Sequence, residues 1–553
     1  MKNILTQGAL IVALTISIFF LSGCKKFLER DNPTSTTDEL FWKSQDQILN
    51  YLSAIYTNAL PAGALITDGG TFQANSKMQM EGITDLAVHR ANFGPTWTNF
   101  VLNNVTSTDG YINDLYKFNY ANSRDCSRIL ERYQTVFIAD PVLKKRIVAE
   151  ARALRAYSHL KLFMMFGNVP ILDHEIEFAD ADAKNLPRAT TQQLVDFIGA
   201  QLDTASVDLP NSYSEADLFR MSKTVCYALQ VQLYLHAKQY DKVITSFTKL
   251  RALNTVQLYT TAASGSTAYA DLFNYNGLTN NERIWIKPLG NKGIMGRMGP
   301  ASVTNGQATL SPTAALVDMY ETKQGLTLDE LPAAQKLDYI KSPNLNNNRD
   351  PRLNATVILP GTNVLTGLPY QPFNTATTNT TRLGYNSANA TGYLLRKGIT
   401  ETDRTAGFGN SKLNYIIIRY AEMMLSYVEA LVESGQFTHP DVKLFLNQIR
   451  SRAGMPNIDD TKYNTQAKLR ELYRRERTVE LALEGNRVFD IRRWQIGTQV
   501  LNGPVYGAFD PATNQPVLVE NRTFVAPRDY LFPIPQTEMI NNAGLKGENN
   551  PGW

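Results

Sequence analysis

Residues 1–23 place the strongest constraint on this chain, because they decide where the rest of it folds. A single Lys2 precedes an uncharged run from Gly8 to Leu21, which ends in the small residues Ser22 and Gly23. A basic start, a short apolar run and small residues before a cleavage point are typical of a secretory signal peptide. The run is shorter than the ~20 residues that a membrane-spanning helix needs. The sequence therefore predicts a signal peptide over residues 1–23, followed by a water-soluble body.

Cys24 follows directly, and Leu21-Ser22-Gly23-Cys24 resembles a bacterial lipobox, in which the cysteine thiol receives a diacylglycerol. We therefore expect Cys24 to be lipidated. The lipid would hold the body at a membrane face, because two or more acyl chains anchor a protein stably where one does not. Residues 24–37 would then form a polar leash between the anchor and the folded body. Two alternatives stay open: a plain signal peptide with an incidental cysteine, and an uncleaved anchor helix.

Composition argues against several function classes. A formal net charge of +4 gives no reason to expect nucleic acid as a partner. The three cysteines are too few for a disulfide framework, so we expect Cys126 and Cys226 to be buried thiols, with a bridge between them left open. The five histidines lack metal-ligand spacing, and the sequence contains no phosphate loop, dinucleotide fingerprint or nucleophile elbow. We expect no cofactor and no metal centre; bound Ca²⁺ is left open.

Apolar periodicity predicts a mainly helical body. Single helices are expected over 38–60, 111–136, 141–166 and 190–206, with a short one over Met78–Arg90. Lys223–Leu253 predicts two helices around a tight turn, and Leu413–Glu433 with Val442–Arg452 predicts a second such pair. Both pairs resemble tetratricopeptide hairpins, which cannot bury their apolar faces alone and must stack on one another.

Residues 254–410 interrupt this pattern and are rich in Asn, Thr, Gly and Pro. We therefore divide the body into a helical region at 38–253, a loop-rich region at 254–410 and a second helical region at 411–553, intertwined in one globule. The loop-rich region is expected to hold one helix, over 311–321, and three short strands, over Arg283–Lys287, Ala355–Leu359 and Tyr393–Arg396. Long loops on a rigid scaffold are where binding residues tend to lie.

The most charged stretch, 469–494, places Glu476, Glu480 and Glu484 on one helix face. A glycoside hydrolase would need two carboxylates about 5–10 Å apart across a cleft. Four arginines lie in the same turns: Arg474, Arg475, Arg477 and Arg487. Their guanidinium groups would keep the carboxylates ionised rather than raise the pKa of one as a proton donor. Structural ion pairing is the favoured interpretation, and glycoside hydrolysis is the weaker alternative.

The tryptophans divide between core and loop. Trp42 and Trp494 fall on helical patterns, and Trp285 falls in a strand-like run, so all three are expected to be buried. Trp97 lies in a polar loop, where it is either an exposed stacking platform or a plug folded onto the core.

Eight stretches, taken together and in this order, resemble one family. They are Cys24–Leu28, Pro312–Tyr320, Arg349–Leu353, Ile418–Ala430, Leu446–Gly454, Glu476–Asp490, Phe532–Glu538 and Glu548–Trp553. The chain resembles the SusD/RagB-type outer-membrane lipoproteins of the Bacteroidota along its whole mature length.

The resemblance implies a SusD-like fold with tetratricopeptide-like hairpins and a loop-rich, ligand-facing half. It also implies a non-enzymatic protein, lipid-anchored in the outer membrane and facing the exterior. Such a protein captures oligosaccharide and acts as the lid of a SusC-like TonB-dependent transporter. Some relatives are linked to peptides, so peptide capture on the same scaffold is the alternative.

Ligand sites in this family are shallow, aromatic-lined loops that vary between members, so no motif fixes them here. By position, the resemblance suggests the loop around Asp85, His89, Arg90, Trp97, Asn99 and Tyr111. Aromatic rings would stack on apolar sugar faces, while Asp, Asn and Arg side chains would hydrogen-bond sugar hydroxyls.

Overall fold

The computed structural model describes residues 42–60, 77–89, 99–176, 182–288, 299–300, 307–363, 369–385, 389–406 and 410–553. The expected signal peptide, Cys24 and the leash lie outside these residues. Among the helices within these ranges, none has the length and apolar character needed to cross a membrane.

Six helices form the first helical region, and each packs against the next. They are α1 (Gln45–Ala59), α2 (Gly110–Arg132), α3 (Pro141–Phe166), α4 (Thr191–Asp208), α5 (Lys223–His236) and α6 (Tyr240–Ala252). The predicted helices and the predicted α5–α6 hairpin are confirmed. Side-chain caps fix the starts: Ser44 and Gln47 form a capping box before α1.

Within its described residues the loop-rich region holds short elements, with four more helices and one more strand than predicted. Its helices are α7 (Ala268–Asp271), α8 (Ala314–Met319), α9 (Ala333–Lys341), α10 (Pro351–Thr356) and α11 (Glu401–Ala406). Its strands are β2 (Arg283–Lys287), β3 (Leu310–Pro312), β4 (Val357–Ile358) and β5 (Leu394–Leu395), and β4 pairs with β5. Strand β1 (Ala87–His89) lies earlier in the chain, after a 3₁₀ turn at Lys77–Ile83, so the predicted helix over Met78–Arg90 is wrong in its second half.

The second helical region begins with a strand rather than with the predicted helix. Strand β6 (Tyr415–Arg419) pairs with β2, and helix α12 (Tyr420–Glu433) starts only after it. The run Ile416-Ile417-Ile418 explains the difference, because β-branched side chains favour strands and pack well on a sheet. Helix α13 (Pro440–Arg452) completes the predicted hairpin.

The remaining elements are α14 (Gln466–Glu480), α15 (Arg487–Trp494), α16 (Gly497–Val500), the hairpin strands β7 (Gly503–Asp510) and β8 (Gln515–Arg522), and α17 (Gln536–Asn541). The sequence reasoning missed the β7–β8 hairpin. One hydrophobic cluster runs from Trp42 to Leu545 and crosses all three regions.

Predictions for five side chains are confirmed by this core. Trp42, Trp285 and Trp494 are buried, and Cys126 and Cys226 are buried free thiols.

Candidate functional site

A two-stranded ladder carries the segment that the sequence singled out. Strand β1 pairs antiparallel with β3, and His89 faces Leu310 in the register. The loop after His89 and the segment before Leu310 therefore start from the same end of this ladder. Arg90 and Trp97 lie in that loop, outside the described residues, and their predicted roles stay predictions.

Asp85 supports this ladder from inside the protein. Its side chain is buried and accepts hydrogen bonds from Arg487 Nε at 2.8 Å and from Nη2 at 2.7 Å. Glu81 lies close by and accepts from the Gly485 N–H at 2.6 Å, and burial raises the pKa of its carboxyl to about 7. In this arrangement the Asp85 carboxylate is satisfied by the protein and not presented to solvent.

His89 and Tyr111 also point into the fold. His89 Nε2 donates to the Gln79 carbonyl at 2.7 Å, and burial lowers the pKa of the ring to about 4. Gly82 makes room for this ring, since a Cβ there would lie 2.0 Å from it. Tyr111 is only 4% exposed, in the first turn of α2. Of the six proposed ligand residues, His89 and Asn99 are the half-buried ones in the described ranges, and Asn99 lies at the start of the segment after the loop.

A second segment, described over residues 369–385 and 389–392, returns to the same ladder. The Ala390 N–H donates to Ser311 Oγ of β3 at 3.3 Å. Inside the loop, Asn389 Nδ2 donates to the Tyr370 hydroxyl at 2.8 Å, and that hydroxyl donates to the Gly392 carbonyl at 3.0 Å. These buried bonds give an irregular loop a defined shape.

The β7–β8 hairpin holds this loop from the other side. The Ala508 N–H donates to the Thr391 carbonyl at 2.6 Å. The two backbones approach so closely that a Cβ on Gly507 would lie 2.1 Å from the Thr391 oxygen. The end of the hairpin also reaches the Asn99 segment, where the Thr523 N–H donates to the Val101 carbonyl at 3.2 Å.

Arg382 and Tyr385 form the most ligand-like surface on this loop. The Arg382 guanidinium carbon lies 4.7 Å from the centre of the Tyr385 ring. Arg382 Nη1 donates to the carbonyls of Asn379 at 2.8 Å and Thr377 at 3.2 Å, which hold the guanidinium over the ring. Both side chains are half-buried, so one part of each contacts the protein while another contacts solvent. The sequence reasoning missed this pair; a tyrosine three residues after an arginine in a Thr- and Asn-rich loop was the available signal.

We call residues 369–385, together with Asn99 and the ends of the β1–β3 ladder, the loop face. It combines an aromatic ring, a fixed guanidinium and several amide groups. That combination can stack on a flat apolar surface and hydrogen-bond to neighbouring hydroxyl groups at the same time.

The charged stretch after Leu469 has a different role. Arg352 donates to Glu476 at 2.6 Å and to Glu480 at 3.0 Å. Arg419 donates to Glu480 at 2.6 Å and to Glu484 at 2.8 Å. All three carboxylates are therefore ion-paired, as predicted.

These pairs belong to a larger buried network, which we call the Arg–Glu cluster. Among the described residues it contains six cations and six anions: Arg352, Lys397, Arg419, Arg450, Arg452 and Arg475, with Glu282, Glu321, Asp350, Glu476, Glu480 and Glu484. Most of its side chains are almost fully buried. The charges balance inside the core, as a buried ionic network requires.

The electrostatics of Glu480 follow from this network. Burial alone would raise the pKa of its carboxyl, but the guanidinium groups of Arg452, Arg419 and Arg352 hold the pKa well below its usual range. A carboxyl that stays ionised cannot act as the proton donor of a glycosidase. The ionised state was predicted correctly, but its partners were not: of the four arginines named from sequence, Arg475 alone joins this cluster.

The other three arginines serve different contacts. Arg477 pairs with Asp490, Arg487 pairs with Asp85, and Arg474 lies over the Trp494 ring. The partners of the three glutamates come instead from other segments, 26 to 128 positions away in the chain.

No group of three His, Cys, Asp or Glu side chains in the described ranges is placed to hold a metal ion. A wide depression of about 520 Å³ lies between α2 and the C-terminal segment, with Tyr116, Lys117, Tyr120 and Glu538 among its lining residues. Its tyrosine hydroxyls point inward, and that of Tyr120 donates to the Pro170 carbonyl at 2.7 Å.

The chain was compared with known protein families, and two family models match it. Residues 266–553 match the model described as the SusD family. Residues 26–235 match a model described as "Starch-binding associating with outer membrane".

Similar individual proteins cover nearly the whole chain. The SusD-like protein P38 of Formosa agariphila is 24% identical over 526 residues, which make up 89% of this chain and 92% of that protein. A solved SusD-like carbohydrate-binding protein of Bacteroides fragilis is 26% identical with a TM-score of 0.78, covering 92% of this chain and 100% of its own. A second SusD-like structure from Bacteroides fragilis is also 26% identical, with a TM-score of 0.77, covering 93% of this chain and 98% of its own.

Proposed function

This chain belongs to the SusD family, and we propose that it is a cell-surface lipoprotein that captures oligosaccharides. In this proposal Cys24 carries the lipid anchor in the outer membrane, and the body acts as the lid of a SusC-like TonB-dependent transporter. Members of the family are carbohydrate-binding proteins rather than enzymes. The similarity to a solved carbohydrate-binding structure over 92% of the chain supports the glycan as ligand.

The observation that carries the binding role is the Arg382–Tyr385 pair. A ring held flat under a guanidinium offers an aromatic surface whose orientation is set before the ligand arrives, and this preorganisation lowers the entropy cost of binding. Glycan rings have an apolar face and a hydroxyl edge, so a stacked tyrosine beside hydrogen-bond donors fits both.

The tether explains why a shallow site can be sufficient. A lid that stays beside its transporter works at a high effective concentration, so weak capture can still supply the pore. Shortening the leash at 25–37 should then reduce uptake by cells without changing binding in solution. Equal uptake after this shortening would contradict the lid role.

The direct test is a binding panel with the chain from residue 25 onward, which contains every described element. Affinity electrophoresis against a set of polysaccharides should show retardation by at least one, with no release of reducing sugar. Binding to a peptide library with no polysaccharide retardation would replace the glycan by a peptide. Release of reducing sugar that is abolished in a folded Glu480→Gln variant would overturn the non-enzymatic role.

A further inference from the structure

A small cavity of about 60 Å³ lies beside the segment that follows Asn99. Its aromatic walls are Phe100, Phe524, Phe532 and Trp553. Phe524 and Trp553 are half-buried, so the cavity reaches the surface at their edges. We call it the Arg492 cavity, after the buried arginine in its wall that forms no ion pair among the described residues.

Arg492 lines this cavity and is 7% exposed. Its guanidinium carbon lies 4.0 Å from the centre of the Phe532 ring. In the described part of the chain it forms no ion pair, and its side chain makes one polar contact, a long hydrogen bond of 3.5 Å from Nη1 to the Met165 carbonyl. Its neighbours on α15 differ, since Arg487 and Arg493 each bind carboxylates at 2.7–2.8 Å.

The other charges in the cavity wall form no salt bridge with Arg492, although the Asp529 carboxylate partly offsets the effect of burial on its pKa. Arg522 is paired with Glu520 at 2.7 Å and also donates to the Ala87 carbonyl at 2.9 Å. Asp529 accepts from Arg528 Nε at 2.8 Å and from the Val525 N–H at 2.7 Å. With these pairs made, the cavity keeps one net positive charge. Burial lowers the pKa of Arg492 to about 10, so the side chain is still protonated at neutral pH.

A buried guanidinium without a counter-ion is unfavourable unless an anion completes it. The planar fork of an arginine matches a carboxylate, which accepts two parallel hydrogen bonds. At about 60 Å³ the cavity has room for a small planar group such as a carboxylate. The aromatic rim could contact the ring to which the carboxylate is attached.

We propose that the Arg492 cavity binds the carboxylate of an acidic sugar, with Arg492 as the residue that recognises it. The identity of the carrier as a sugar rests on the proposed glycan-binding function, while the carboxylate site itself does not. Phe100 of the cavity wall directly follows Asn99 of the loop face in the chain.

The test measures binding of sodium acetate, sodium sulfate, D-glucuronate and D-glucose to the chain from residue 25 onward by calorimetry, at constant ionic strength set with chloride. The wild type should bind glucuronate and should not bind glucose. Arg492→Gln should weaken glucuronate binding at least tenfold, and Arg492→Lys should give an intermediate loss because it keeps the charge without the fork.

Arg396→Gln is the matched control, because Arg396 is also largely enclosed and binds only a backbone carbonyl, that of Asn354 at 2.6 Å. It should leave glucuronate binding unchanged. If Arg492→Gln fails to fold, the lysine variant and the wild-type ligand series still decide the question.

Several results would overturn the assignment. If glucuronate and acetate give the same heats as chloride, the cavity binds no carboxylate. Wild-type affinity for glucuronate in folded Arg492→Gln would show that Arg492 does not recognise it. Sulfate that binds more tightly than either acid would replace the carboxylate. Acetate that binds as tightly as glucuronate would replace the sugar by a free small acid. Arg492-dependent glucuronate binding without retardation by any polysaccharide would contradict the proposed glycan function and leave the carboxylate site standing.

Discussion

The Arg–Glu cluster and the loop face are both rich in polar groups, yet they use them in opposite ways. In the cluster, twelve charged side chains pair with one another in the core. On the loop face, Arg382 binds backbone carbonyls and leaves its guanidinium over the half-buried Tyr385 ring. The first arrangement fixes the fold because its charges are satisfied internally; the second is available to a ligand because it is satisfied only in part.

The largest expected effect concerns the cluster. Glu480→Gln removes the negative charge shared by three buried arginines and should lower the free energy of unfolding by about 3–5 kcal/mol. Chemical denaturation measures this loss. Glu471→Gln is the control on the same helix, since its pair with Lys468 is exposed and should contribute at most about 1 kcal/mol. A loss for Glu480→Gln no larger than that of the control would show that the cluster does not hold the fold.

The same comparison explains what could be predicted from sequence. The stretches that identified the family include Arg349–Leu353, Leu446–Gly454 and Glu476–Asp490, and these supply seven of the twelve charged side chains of the cluster. Such residues tolerate little change, because removing one leaves a buried charge unpaired. The fold could therefore be predicted from these stretches.

The loop face could not be predicted from the sequence, for the opposite reason. Arg382 and Tyr385 meet through hydrogen bonds to backbone carbonyls, which many sequences can provide. Asp85 and His89 looked like ligand residues because they are polar and precede a loop, but their partners, Arg487 and the Gln79 carbonyl, depend on the tertiary fold. The prediction of a helix over Tyr415–Arg419 is wrong, because the periodicity of a short apolar run does not distinguish a helix from a strand.

The second prediction concerns pH and the buried histidines of the helical body. His159 donates to the Arg155 carbonyl and accepts from the Leu172 N–H, and burial lowers the pKa of its ring to about 4. Burial, with the nearby charges of Arg493 and Arg492, lowers the pKa of the His236 ring to about 3. Both pKa values lie below the usual 6.5, so the unfolded chain takes up protons first as the pH falls, and stability is lost from about pH 6.5 downward.

This loss should be on the order of 2 kcal/mol per histidine between pH 7.5 and 5. Urea denaturation at the two pH values measures it, and a His236→Phe variant should lose less stability over this interval than the wild type. An equal loss in the wild type and in His236→Phe would mean that the His236 ring is charged or exposed in the folded protein.

The third prediction concerns the stability of the loop face. Arg382→Ala should change the free energy of unfolding by less than about 0.5 kcal/mol, since substitutions at partly exposed positions that make no buried ion pair are usually this mild. Denaturation under the conditions used for Glu480→Gln checks it. A loss of several kcal/mol would erase the distinction between the two regions.

The smallest effect concerns the two thiols. Because Cys126 and Cys226 are free and buried, a reducing agent should not shift the unfolding temperature. Both should react with a thiol reagent only after unfolding, in contrast to a disulfide, which would hide them until reduction. A downward shift on reduction would indicate a bridge.

The central claim is that glycan binds at the loop face, and calorimetry with a polysaccharide retained in the binding panel tests it most directly. Tyr385→Ala should weaken binding about fivefold while the unfolding temperature stays at the wild-type value, since stacking on an aromatic ring contributes on the order of 1 kcal/mol. Tyr227→Ala is the matched control, because Tyr227 is a half-buried tyrosine under the Lys249 ammonium on the helical side of the protein. Wild-type affinity in Tyr385→Ala, or an equal loss in Tyr227→Ala, would contradict the claim.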